Sequence, residues 1–155
     1  MLTIRKTKKR DIGELSKIYK RVYDRPKDGG DWSIKRAKDL LNFYFTLKTF
    51  IGLTAVIDGK IVGALFSFVK PWHDGNRLGE GELFVDPEYQ NQRIGTKLFL
   101  KINEIGEKKG CKIHEMLVYG RVERWYKKLG VKESGLKHME GNIKEIIRRI
   151  NLYGK

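Results

Sequence analysis

Val85-Asp86-Pro87-Glu88-Tyr89-Gln90-Asn91-Gln92-Arg93-Ile94-Gly95-Thr96-Lys97-Leu98 decides the fold. Residues 82–85 are β-competent, and Asp86-Pro87 stops them. A short turn follows. A helix then begins near Gly95, with Ile94, Leu98, Ile102 and Ile105 on one stripe and lysines on the other. The first turn of a helix has unpaired N–H groups and the positive end of the dipole. Together these make a cradle for a pyrophosphate. Gly95 lets the backbone come close, and the Thr96 hydroxyl and Arg93 guanidinium are placed to add contacts.

Working outward, residues 2–6 read as a short strand. Asp11 offers a helix N-cap, with Glu14 completing a capping box. Ile12, Leu15, Ile18, Tyr19, Val22 and Tyr23 continue at helical spacing, and the helix ends before Pro26. Gly29-Gly30 break the chain. Ser33 caps a second helix that carries Ile34, Ala37, Leu40, Leu41 and Tyr44. Residues 49–57 and 60–69 read as strands around Asp58-Gly59, a hairpin signal. Residues 71–81 read as a loop. Further on come a strand over 112–119, a short helix over 123–129 ended by Gly130, a hairpin or ragged strands over 131–140, and an amphipathic helix on Ile143, Ile146, Ile147 and Ile150. The order β-α-α-β-β-β-α-β-α-β is that of a mixed α/β domain.

Composition narrows the function. With 155 residues the chain has room for one domain, taken here as 1–155. Its 40% apolar content argues against disorder. One cysteine, Cys111, excludes an internal disulfide framework and a cysteine-built zinc site, and points to a reducing, cytoplasmic setting. The N-terminus lacks the apolar core of a signal peptide, and no window of the sequence is apolar enough to span a membrane. His73, His114 and His138 show no metal-ligand spacing, so no metal is expected. The chain is basic: Lys and Arg number 33 against 19 acidic residues, a net charge of +14. Such a surface attracts anions, from nucleic acid to a phosphorylated cofactor. The cations are scattered and no recognition helix or aromatic platform accompanies them, so nucleic acid is not expected as substrate.

Gln90-Asn91-Gln92-Arg93-Ile94-Gly95 after Val85-x-Pro87 resembles the signature of the GNAT superfamily of N-acetyltransferases, Gln/Arg-x-x-Gly-x-Gly/Ala after a Val-x-Pro strand end. Arg93 replaces the first glycine. Trp125-Tyr126-Lys127-Lys128-Leu129-Gly130-Val131 is similar to the family's Tyr-x-x-Leu-Gly-Phe segment, with Val for Phe. The element order agrees along nearly the whole chain. The resemblance implies a single domain built on a central, mostly antiparallel twisted sheet of six to seven strands with helices on both faces. It implies acetyl transfer from acetyl-CoA to an amine acceptor, with the pantetheine arm lying where the fourth and fifth strands splay apart. On this mapping Leu83, Phe84 and Val85 pair with the arm, and Gln90, Asn91, Gln92, Arg93, Ile94, Gly95 and Thr96 belong to the pyrophosphate turn. Dimers are common in the family, so a homodimer stays open. A Rossmann or Walker reading fails for want of the glycine patterns.

Amine attack on a thioester needs a neutral amine, and an alkyl ammonium starts near pKa ~10.4. A base must take the proton. Glu82 and Glu80, on one face of the strand beside the thioester, are the candidates, against a reading in which they are solvated or lysine-paired. Glu115 and His114 are rivals, of which one at most faces the cleft. The resemblance places Tyr126 as the acid that reprotonates the leaving thiolate, or as a ring packed beneath the cofactor. Cys111 reads as structural. Trp72 and His73 either line the acceptor site or cap the core. Asp24, Asp28 and Asp31, in the segment where the family places acceptor loops, either meet a cationic amine or are solvated. The alternative function is a CoA-binding regulatory or interaction module with weak catalysis.

Overall fold

Hydrophobic spacing and turn chemistry build most of the architecture. The computed structural model describes residues 1–25 and 30–153. Strand β1 (Leu2–Lys6) leads into helix α1 (Ile12–Tyr23), and helix α2 (Ile34–Tyr44) follows. Ser33 caps α2 by accepting from Arg36 N at 3.1 Å, as its type predicts. Strands β2 (Phe50–Ile57) and β3 (Lys60–Trp72) form the hairpin around Asp58-Gly59, both with positive φ. Then come β4 (Gly75–Leu78), β5 (Glu82–Val85), α3 (Ile94–Lys108) and β6 (Cys111–His114).

The six strands pair in the order β1-β2-β3-β4-β6, with β5 also on β3. All pairs are antiparallel except β4 with β6. Two apolar layers cover the sheet. α1 and α2 bring Leu15, Ile18, Tyr19, Leu41 and Tyr44 onto Ala64, Phe66 and Phe84. α3 brings Ile94, Leu98 and Ile102 onto Leu53, Leu65 and Val85 on the other face. Alternation along β5 explains the division: Phe84 points one way, Leu83 and Val85 the other.

The long strand β3 carries β4 on one stretch and β5 on the next. Between them residues 79–81 bulge out of the ladder. A Cβ on Gly81 would lie 1.7 Å from Phe66 O, so only glycine fits this crossing. Ser67 Oγ donates to Gly79 O at 2.9 Å and pins the bulge. β6 pairs with β4 as far as Leu78, and Glu115 N extends the pairing to Leu78 O at 2.9 Å. Among the described residues no strand pairs with the outer edge of β5. The sheet therefore forks after Leu78.

Several sequence readings need correction. Asp11 does not cap α1 through a box with Glu14. Its carboxylate closes the 3-10 turn Lys9–Asp11, accepting from Lys8 N at 2.7 Å and from Arg5 at 2.7 and 3.0 Å, while Glu14 pairs with Lys17. The loop expected over 71–81 contains the end of β3 and all of β4, because pairing to Val69–Trp72 recruits a glycine-containing segment with little strand propensity of its own. The strand expected over 112–119 spans only Cys111–His114, since β4 runs out opposite it. The helix expected over 123–129 is Gly120–Lys128, and residues 131–140 form no strand. The break at Gly29 and the carboxylate of Asp28 lie outside the described residues.

By its contacts the chain divides into two compact units, Met1–Leu117 and Val118–Lys155. The second holds α4 (Gly120–Lys128) and α5 (Ile143–Tyr153). α4 ends in a paired closing turn: Val131 N donates to Tyr126 O at 3.2 Å and Gly130 N to Lys127 O at 3.1 Å, with Gly130 at φ 89°. The Leu-Gly of the Tyr-x-x-Leu-Gly segment is thus a helix stop. None of the helices is long and apolar enough to cross a membrane, among the described residues.

Candidate active site

The fork exposes one edge of β5. Asp86 N donates to Val62 O at 2.8 Å, so in the alternating ladder the backbones of Glu82 and Phe84 also face β3. Leu83 and Val85 turn theirs outward. Their carbonyls already have partners: Tyr23 Oη donates to Leu83 O at 2.8 Å and Gln90 Nε2 to Val85 O at 2.9 Å. The outward N–H groups are the part of this edge that a ligand's carbonyls would meet. Of the three residues expected to pair with pantetheine, Phe84 spends its backbone on β3 and buries its ring.

After β5, Pro87–Tyr89 form one 3-10 turn, and Gln90, clamped to Val85, fixes the bend. Asn91 and Arg93 are both left-handed, at φ 62° and 61°. Such a conformation costs a non-glycine residue on the order of 1 kcal/mol, and it curls successive N–H groups toward one side. The first bond of α3 runs from Lys97 N to Arg93 O at 3.0 Å. The amides of Asn91 through Thr96 bond to no protein acceptor among the described residues. Ile94 anchors the turn in the core, while Asn91, Gln92 and Arg93 are exposed. A Cβ on Gly95 would come no nearer than 4.0 Å to any other group, that group being Val85 Cγ2. Packing therefore does not demand glycine here, and the space in front of the helix start is open. Free amides, a positive helix end and clear space fit a diphosphate.

Glu82 opens β5 and points to the α1–α2 side. Tyr19 Oη donates to Oε2 at 3.0 Å and Tyr44 Oη to Oε1 at 3.4 Å. The residue keeps some exposed surface, yet enough protein surrounds the carboxyl that desolvation pushes it up to about 7, with the two tyrosine bonds acting in the opposite direction. A base poised there matches neutral pH. Glu80 shares this side, half-exposed and 3.9 Å from Lys70. Burial pushes the rival Glu115 up, but Lys70 and Arg77 (2.7 Å) outweigh it and hold the carboxyl below the usual range. His114 is half-buried and stacked on Phe99, and burial lowers it to about 4. Neither rival is tuned to take a proton from an amine near neutrality. Trp72 lies beside Lys70 and Arg77 at 5.0 and 5.2 Å, within the same ion network. Asp24 is engaged by Lys20 and by Trp32 N at 3.2 Å, while Asp31 is exposed. Cys111 is partly buried against the α3 layer. In the second unit, Tyr126 lies in the last turns of α4 with its ring 4.6 Å from that of Trp125. The tyrosines around Glu82 went unnoticed in the sequence, where Tyr19 and Tyr44 look like ordinary core members of helical stripes.

The acetyltransferase (GNAT) family model matches residues 14–140. The chain belongs to that family. Solved structures share its fold. An acetyltransferase of Trypanosoma brucei is 18% identical, with a TM-score of 0.70, over 92% of this chain and 100% of that one. A predicted acetyltransferase with acetyl-CoA from Clostridium acetobutylicum is 17% identical, with a TM-score of 0.74, over 94% and 98%. Glucosamine-6-phosphate N-acetyltransferase from Arabidopsis thaliana is 13% identical, with a TM-score of 0.68, over 91% and 98%. A search of curated proteins finds no match.

Proposed function

We propose that this GNAT chain moves an acetyl group from acetyl-CoA directly to a primary amine on a protein N-terminus, a lysine or a small molecule. Glu82 takes the proton the amine loses as its nitrogen bonds to the acetyl carbon. Tyr126 gives a proton to the sulfur as the carbon–sulfur bond breaks. Asn91 through Thr96 hold the diphosphate, and the outward edge of β5 aligns the pantetheine arm. The observation that carries this reading is a carboxyl that burial pushes up to about 7 at the head of β5, beside the fork where β5 leaves β4 and β6. The family match runs across residues 117 and 118, which supports one functional domain over 1–155. A single cysteine supports a reducing, cytoplasmic setting.

The test is release of CoA thiol against a panel of amines and peptides. E82Q should lower turnover by about a hundredfold or more with CoA binding kept, and Y126F by a smaller factor. The left-handed Arg93 in the turn favours, as second reading, a CoA-binding module with weak catalysis. Tight acetyl-CoA binding without thiol release from any acceptor establishes that second reading and overturns the first.

A further inference from the structure

Two helices from different parts of the chain meet on one carboxylate. Tyr19 of α1 and Tyr44 of α2 each donate a hydroxyl to a different oxygen of Glu82. Both rings are buried, 3% and 7% exposed, and both pack edge-on against the sheet: Tyr19 on Phe84, Tyr44 on Phe66. Their positions are therefore fixed by apolar packing, independently of the bonds they make. We propose that Tyr19 and Tyr44 are positioning residues that hold Glu82 in one orientation and favour its unprotonated, proton-accepting form; the inference rests on the reading of Glu82 as the base.

The physical case follows from the donors. A carboxylate accepts two hydroxyl bonds, whereas a carboxylic acid must spend one oxygen as a donor, and neither phenol needs that proton. Hydrogen bonds to the charged form favour it. The Tyr44 phenol does not titrate in the working range: burial first, and then the Glu82 charge, raise it far above an ordinary phenol. Charged and titratable groups on this side are few. α1 presents Tyr19 and, bonded to Leu83 O, Tyr23. α2 presents Tyr44. β3 places Phe66 opposite Glu82 and Lys70 further along, where Lys70 meets Glu80 and Glu115. No cation bonds to the Glu82 carboxylate among the described residues, so the phenols are its donors.

The experiment is a direct titration of the Glu82 side-chain carboxyl by carbon NMR in the apo protein, for wild type, Y19F, Y44F and the double variant, alongside the pH profile of kcat/KM. Phenylalanine keeps each ring in its pack, and the single variants carry the test if the double one does not fold. Y19F, which loses the shorter bond, should raise the Glu82 midpoint by about one pH unit, and Y44F by less. The acid limb of the rate profile should move up with it. A Glu82 midpoint unchanged or lowered in both single variants overturns the proposal. The titration needs neither cosubstrate nor acceptor. A raised midpoint with an unmoved rate profile would keep the clamp while removing Glu82 as base, so the two failures are distinct.

Discussion

Gly95→Glu separates folding from ligand binding at the helix start. Gly95 is the second residue of α3, and a Cβ there would meet nothing closer than Val85 Cγ2 at 4.0 Å. The fold has room for a side chain. Glutamate has better helix propensity than glycine, and a negative charge in the first turn suits the dipole. The two effects add about 1 kcal/mol, or roughly 2–4 °C in melting temperature for a chain of this size. Binding should move the other way. A carboxylate about 4 Å from a phosphate charge costs about 4 kcal/mol at an effective dielectric of 20, and screening removes part of that. A loss of about 3 kcal/mol remains, roughly a hundredfold in Kd. Calorimetry with CoA measures the affinity, and thermal unfolding with and without CoA measures stability. The apo variant should melt slightly above wild type, and saturating CoA should shift it far less. A variant that binds CoA as tightly as wild type would refute the placement of the diphosphate at residues 91–96.

Two further outcomes follow from the close approach at Gly81 and the buried setting of Glu82. G81A sets a methyl group 1.7 Å from Phe66 O, against the backbone of Phe66 and Ser67, and should cost about 3 kcal/mol or more, with a melting temperature roughly 10 °C lower by calorimetry. Glu82 holds its proton up to about 7 in the folded chain, whereas the unfolded chain releases it near ~4.3. Folding stability therefore falls as pH rises through that window, and the cost is fully present above 7. E82Q should be more stable than wild type by about 3–4 kcal/mol at pH 8 and nearly equal to it below pH 4, by denaturant unfolding; an equal difference at both pH values would count against a raised Glu82.

Local chemistry made much of this legible. Asp58-Gly59, the Ser33 cap and the stripes of α1 to α3 are decided within a few residues of themselves. The glycine after Leu129 announced the end of α4. β4 was hidden because Gly75–Leu78 becomes a strand only through β3 and β6, partners that no window around it contains. Residues 131–140 show the converse: a hairpin or ragged strands were expected there, and no ladder receives them. In the site, spacing pointed to the turn at residues 91–96, and the family resemblance put forward Glu82. The tuning of Glu82 was not, since Tyr19 lies 63 positions away and only folding brings the two together.

The glycine bulge has a bearing on kinetics. Because Gly81 is locked against the backbone of β3, the parting of β6 from β5 is built into the resting sheet and needs no visitor to open it. On the proposed function, a thioester arm would enter a slit whose walls already stand apart, so encounter frequency, and not a slow structural rearrangement, should govern how fast it is captured.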